Sequence, residues 1–169
     1  MKRHTGQSGF TLIELMVGLL ITLIFLIGSA NSIMNWHYRR AITQAKGDLT
    51  AAYSMAKAMA VRNPTAATSG ACAGLLLVPA SGAADHLLFV CAGDPRSANC
   101  GSGGSAVLTR RTLPAAMSVS VASTVLSGSN LVLTLDSTGQ PTTGTTYNYA
   151  LSLGSAALSN MVSDNGSLY

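Results

Sequence analysis

The sequence predicts an α+β chain. One long N-terminal helix, membrane-spanning and then amphipathic, packs on a C-terminal head of antiparallel, β-sandwich-like build. Three observations predict this. No proline occurs before Pro64. Apolar residues between Tyr38 and Met59 recur at helical steps. Beyond Pro64, short apolar runs alternate with clusters of Gly, Ser, Asn and Thr, the texture of strands and turns.

The helix is read from about Phe10 to Arg62, which at 1.5 Å per residue is about 80 Å. Its amphipathic stripe is Tyr38, Ile42, Ala45, Leu49, Ala52, Ala56 and Met59, with steps of three and four. Arg39, Arg40, Lys46, Asp48, Lys57 and Arg62 take the other face. A helix this long cannot bury itself in a small domain. Its first half must lie in a membrane or among other helices. Asn63-Pro64 stops it, because a residue before proline avoids the helical region. Gly18, Gly28 and Gly47 are weak points of up to about 1 kcal/mol each relative to Ala. At Gly18 and Gly28 close helix packing in lipid is the simpler reading.

The run from Phe10 to Ile27 approaches the length that spans a bilayer. Its one formal charge is Glu14. A carboxylate there costs roughly 2.5–3.5 kcal/mol on insertion scales, so a partner is expected for it. The plainer reading is a carboxylate solvated near the interface. Lys2 and Arg3 ahead of the run favour an N-terminus on the cytoplasmic side. Trp36 and Tyr38, flanking His37, suit the far interface as aromatic anchors. The competing reading is a secretory signal cut after Gly28-Ser29-Ala30, giving a mature chain from Asn31. It leaves Glu14 unexplained. The organisation expected is a leader at 1–9, a membrane half of the helix at 10–30, an amphipathic half at 31–63 and a β-rich head at 64–169.

Composition narrows the function classes. At 169 residues the chain holds one ordinary domain with an appendage. Charged residues are 9%, against about 25% in typical soluble domains, and hydrophobic residues are 48%. This suits an exported or assembled protein better than a free cytosolic enzyme, and no enzymatic activity is expected. The formal charge of +4 includes Lys2 and Arg3 in the leader. The remaining balance is too weak to argue for nucleic acid.

In the head, candidate strands are 71–78, 86–91, 106–112, 117–125, 131–136, 146–153 and 156–162. Asp136-Ser137-Thr138-Gly139-Gln140-Pro141 is a turn by its chemistry. Asn165-Gly166-Ser167 is also read as a turn. About seven strands with short connections argue for a small sandwich or rolled sheet.

Of three cysteines, Cys91 and Cys100 enclose a short loop that nothing else would hold. They are the candidate disulfide, worth about 2–3 kcal/mol in the chain-entropy model. Cys72 with Cys91 is the alternative. The spacings match no zinc pattern, so no metal and no cofactor is expected. His86 with Asp85 and the many serines makes no hydrolase, since no Gly-x-Ser-x-Gly follows a strand. Gly101-Ser102-Gly103-Gly104 lacks the Lys-Ser/Thr of a phosphate loop.

Gly9-Phe10-Thr11-Leu12-Ile13-Glu14-Leu15-Met16, behind a basic leader, resembles the type IV prepilin signature. The resemblance implies cutting after Gly9 by a prepilin peptidase, methylation of Phe10, and Glu14 as the acid that meets a neighbour's N-terminal amine during assembly. The mature chain would then carry about +2. Arg62-Asn63, then Leu108-Thr109-Arg110-Arg111-Thr112-Leu113-Pro114, then Leu133-Thr134-Leu135-Asp136-Ser137-Thr138-Gly139, resemble the GspH/FimT group of minor pilins and minor pseudopilins. Between Thr65 and Ser105 this resemblance does not extend.

What the resemblance implies is a minor pilin of a type IV pilus, initiating or capping the filament. A minor pseudopilin of type II secretion is the alternative, and a DNA-binding minor pilin for uptake is the second. The implied partners are other pilins or pseudopilins, the prepilin peptidase and an inner-membrane assembly platform. The implied location is the bacterial inner membrane, single-pass with the head in the periplasm, then the pilus or pseudopilus. Nucleic acid is not expected. The basic C-terminal motif of some FimT-type pilins does not carry over, because no arginine follows Arg111. Arg96, Arg110 and Arg111 remain the candidate weak DNA contacts, and as a three-residue basic patch they would revive that reading.

Overall fold

The computed structural model describes residues 11–64, 66–67, 70–82, 84–154 and 161–169, and of residues 28–32 the helical backbone alone. The leader, Gly9 and Phe10 lie outside the described residues. Helix α1 (Leu12–Arg62) runs unbroken through Gly28, Ser29 and Ala30. Asn63 ends it in the left-handed region at φ 45, with its N–H donating to the carbonyls of Met59 and Ala60. The Asn63 side chain then clasps the Ala67 backbone through bonds of 2.8 and 2.9 Å, which turns the chain toward the head.

Eight strands follow: β1 (Ala73–Val78), β2 (His86–Ala92), β3 (Val107–Leu113), β4 (Ser118–Val121), β5 (Thr124–Val125), β6 (Leu131–Leu135), β7 (Tyr147–Leu153) and β8 (Val162–Leu168). They form two four-stranded antiparallel sheets, ordered β3-β2-β1-β6 and β5-β4-β7-β8. The architecture is therefore α+β, a long helix on a head of two antiparallel sheets.

The helical stripe explains where the core sits. Ile42, Ala45, Leu49, Ala52, Ala56 and Ala60 are buried, and Tyr38 and Met59 pack at the margin. They share one core with Leu75, Leu77, Leu88 and Leu133 from the first sheet and Val119, Val121 and Leu151 from the second. Alternation along each strand sends these residues inward. Ion pairs tie the helix to an edge strand of each sheet. Asp48 meets Arg111 on β3 and Lys46 meets Asp164 on β8, both at 2.9 Å. A second, smaller cluster of Leu76, Phe89, Cys91 and Cys100 covers the outer face of the first sheet.

Two expectations for the head need correction. The run 117–125 is not one strand: Ala122 and Ser123 take φ of 51 and 64, and a tight turn divides it into β4 and β5. Two consecutive positive-φ residues match the twist of a two-residue hairpin. The last strand is Val162–Leu168, and residues 156–160 of the expected 156–162 lie outside the described residues. Asn165-Gly166-Ser167 is therefore strand and not turn. The reason lies across the ladder, where Gly166 pairs with Tyr149 and its missing side chain leaves room for that ring. A Cβ at Gly166 would stand 2.7 Å from Tyr149 Oη.

Candidate functional site

Among the described residues, nothing in the chain covers the apolar side chains of α1 from Leu12 to Ile27. Leu12, Ile13, Leu19, Leu23, Phe25 and Leu26 are all more than half exposed. Contact with the head begins near Tyr38. So large an apolar surface marks an interaction or membrane site. The fully described apolar part, Leu12–Ile27, is about 24 Å long at 1.5 Å per residue. Among the described residues, no helix is long and apolar enough to cross a membrane.

Glu14 stands in the first turn of this surface. Thr11 is the N-cap, and its Oγ1 accepts from the Glu14 backbone N–H at 3.3 Å. Glu14 Oε2 in return accepts from the Thr11 backbone N–H at 3.3 Å and from its hydroxyl at 3.2 Å. This is a capping box, which satisfies two helix-end donors reciprocally. The sequence carries this signal as Thr-x-x-Glu, masked because Thr11 lies inside the apolar run. Gly18 and Thr22 follow Glu14 at spacings of four, so the three share a face. Thr22 turns its hydroxyl back onto the carbonyls of Gly18 and Leu19 at 2.6 and 3.1 Å. Glu14, Leu15, Gly18, Leu19 and Thr22 line an open hollow of about 400 Å³. Among the described residues, nothing apart from the helix's own backbone comes within 4 Å of the position of a Gly18 Cβ. The helix thus offers one charge and a small-residue notch on a surface that is otherwise apolar.

Residues 4–30 match the prokaryotic N-terminal methylation motif. The match is a type IV prepilin-like signature. It spans Gly9, Phe10, Thr11, Glu14 and Gly18, and supports a type IV pilin-like protein of a pilus or pseudopilus. Such a signature implies anchoring in the inner membrane, with other pilins and the prepilin peptidase as partners. No curated protein and no solved structure matches the chain.

The remaining candidates fall apart from this face. Cys91 and Cys100 form a disulfide with Cα atoms 5.7 Å apart, and Cys72 is a buried free thiol. The alternative pairing of Cys72 with Cys91 is therefore wrong: Cys72 faces the main core and Cys91 the outer cluster.

Arg110 and Arg111 lie on β3, at one edge of the first sheet, while Arg96 borders β6 at the other edge. Three strand spacings, about 14 Å, separate those edges. Arg111 is also engaged with Asp48. The three arginines do not converge on one patch.

His86 is buried, with Nδ1 accepting from the Ala80 N–H at 2.8 Å and Nε2 donating to the Met117 carbonyl at 3.0 Å. Asp85 accepts from the Ala115 N–H instead of facing it. The His86 bonds tie two loops to β2, and the Asp85 bond ties one loop to another. Trp36 is half exposed, stacks edge-on with His37, and lies under Arg40 at 4.2 Å.

Lys46 has its pKa raised by the hydrogen bond to Asp164, with Tyr149 adding to the effect. Burial, and then Tyr147 beside it, raises the pKa of the Tyr53 phenol. Among the described residues no cluster of three or more His, Cys, Asp or Glu could hold a metal ion.

Proposed function

We propose that this chain is a minor pilin of a type IV pilus, of the GspH/FimT kind. It is cut after Gly9, methylated on Phe10 and drawn from the inner membrane into the filament through its N-terminal helix. It is not an enzyme but a substrate of the prepilin peptidase. The single observation that carries this reading is the methylation motif at residues 4–30 heading a helix whose apolar side chains from Leu12 to Ile27 stay bare among the described residues.

The mechanism is assembly. The exposed apolar residues from Leu12 to Ile27 gain roughly 25 cal/mol for each Å² they remove from water, and on leaving lipid for the filament they gain van der Waals packing against neighbouring helices. In a low-dielectric helix bundle an unpaired carboxylate is penalised, and a cation within a few ångströms offsets this. Glu14 meets that need by exchanging its Thr11 cap for the N-terminal amine of a neighbouring subunit. The head, pinned to the outer half of the helix by Lys46–Asp164 and Asp48–Arg111, presents the surface that selects neighbours. The strand carrying Arg110 and Arg111 and the turn after β6 support the GspH/FimT assignment by resemblance.

A clean deletion in the source organism tests the reading, with surface pili counted and secreted proteins profiled together. Loss of pili with normal secretion is the expected result. Normal pili with exported proteins trapped in the periplasm would make it a pseudopilin of type II secretion. Normal pili and secretion with failed transformation would make it a DNA-uptake pilin.

A further inference from the structure

Between the free edge of β6 and the β4–β5 hairpin lies a groove of about 200 Å³. Arg96, Val121, Thr124, Asn130, Val132 and Tyr147 are among its lining residues. One end of the strand edge is closed. Thr134 donates its N–H to Tyr147 Oη at 3.2 Å, and its carbonyl accepts from the Thr142 N–H at 3.0 Å. These groups point away from β1. In an antiparallel ladder, groups two residues apart point the same way, so the N–H and C=O of Val132 also face the groove. Among the described residues they have no partner.

The loop before this edge delivers a cation to it. The Cys91–Cys100 bond closes the loop. Pro95 then lies flat on β1 at Gly74, where a Cβ would collide with the Pro95 ring and the Leu133 carbonyl. Asp94 Oδ1 accepts the Arg96 N–H at 2.9 Å and fixes the direction of the chain. The Arg96 guanidinium is exposed and has no hydrogen-bond or ion-pair partner among the described residues.

The groove is smaller than the roughly 300–1,000 Å³ of small-molecule pockets. An open strand edge instead templates an added strand, and its side-chain neighbours give the specificity. The geometry points to strand addition. We infer that the groove takes an extended segment of a neighbouring subunit, which pairs its backbone with Val132 and sets a carboxylate against Arg96. This rests on the proposed function only in taking the neighbour to be another filament subunit.

The test uses the full chain in detergent micelles and amide hydrogen exchange read residue by residue. The probes are two blocked seven-residue strands, Thr-Val-Thr-Asp-Thr-Val-Thr and its Lys-for-Asp counterpart. At four times its Kd the Asp strand is expected to slow Val132 exchange about fivefold. The amides of Leu131 and Leu133, which face β1, stay unchanged. The Lys strand has little effect, and Arg96→Glu reverses the preference. Slow Val132 exchange without peptide, no slowing by either strand, or equal slowing by both would each overturn the inference. Cleavage before Phe10 is scored separately, so failure here leaves the functional reading standing.

Discussion

Arg111 Nη1 lies 2.9 Å from Asp48 Oδ1, so an arginine on an edge strand is bonded to the helix 63 residues earlier. One turn of α1 thereby holds both sheets, since Lys46 reaches Asp164 of β8 from nearly the same height. The Arg111 and Asp48 side chains are 49% and 17% exposed. Partly exposed pairs of this kind are worth about 0–1 kcal/mol. Asp48→Asn is therefore expected to lower Tm by no more than about 4 °C for a chain of this size. The loss should shrink in about 1 M salt, where the Debye length is about 3 Å. Thermal melts of Asp48→Asn, Arg111→Gln and the double variant check this. A loss that salt leaves untouched would assign the bond a packing role instead.

The Cys91–Cys100 bridge closes a short loop and supports the outer cluster of Leu76 and Phe89. Reduction is expected to cost about 2–3 kcal/mol by loop entropy. That corresponds to a fall in Tm of about 4–12 °C. Cys72→Ala should keep this difference between oxidised and reduced protein, because Cys72 is free. A Cys91→Ala/Cys100→Ala variant should lose it. Melts with and without reductant decide the matter.

Asp136 predicts an acid limb in the stability profile. Its carboxylate accepts first from the Thr138 hydroxyl and then from the Gln140 backbone N–H, and these hold its pKa below the ordinary value. A depressed folded-state pKa means the contribution is present above the unfolded value of about 3.9 and is lost as pH falls through the folded one. Urea midpoints measured from pH 6 down to pH 2 should therefore drop more steeply below about pH 4 in the wild type than in Asp136→Asn. Matching slopes in the two proteins would remove Asp136 from this role.

Much of the architecture was legible because it depends on periodicity. The stripe from Tyr38 to Met59 marks the buried helix face, and Met117 to Val121 and Leu131 to Leu135 show their alternation plainly. What escaped depends on contacts across the fold. Gly166 reads as a turn residue until Tyr149 is seen lying against it. Ala122-Ser123 carries no glycine to announce a hairpin. The ion pairs join residues far apart in sequence, and no local pattern signals them. At the candidate site Glu14 stood out as a lone charge. Its tie to Thr11 was hidden, because a threonine inside an apolar run reads as part of that run.

Glu14 and Thr11 should separate two steps. Glu14→Ala is expected to be cut after Gly9 as efficiently as the wild type and to fail to enter filaments. Thr11→Ala removes the hydroxyl that both donates to and accepts from Glu14, a cap worth about 1 kcal/mol. It should enter filaments at a reduced level. Immunoblots of sheared filaments and membrane fractions read both steps. Normal incorporation of Glu14→Ala would remove the carboxylate from the assembly mechanism.

The most direct test of the central claim is the mass spectrum of the intact chain recovered from its own cells, with its N-terminal peptide sequenced. The account predicts a chain beginning at Phe10 and carrying one methyl group on its amine. A chain beginning at Asn31, or one retaining Met1 through Gly9 in cells with an active prepilin peptidase, would contradict it.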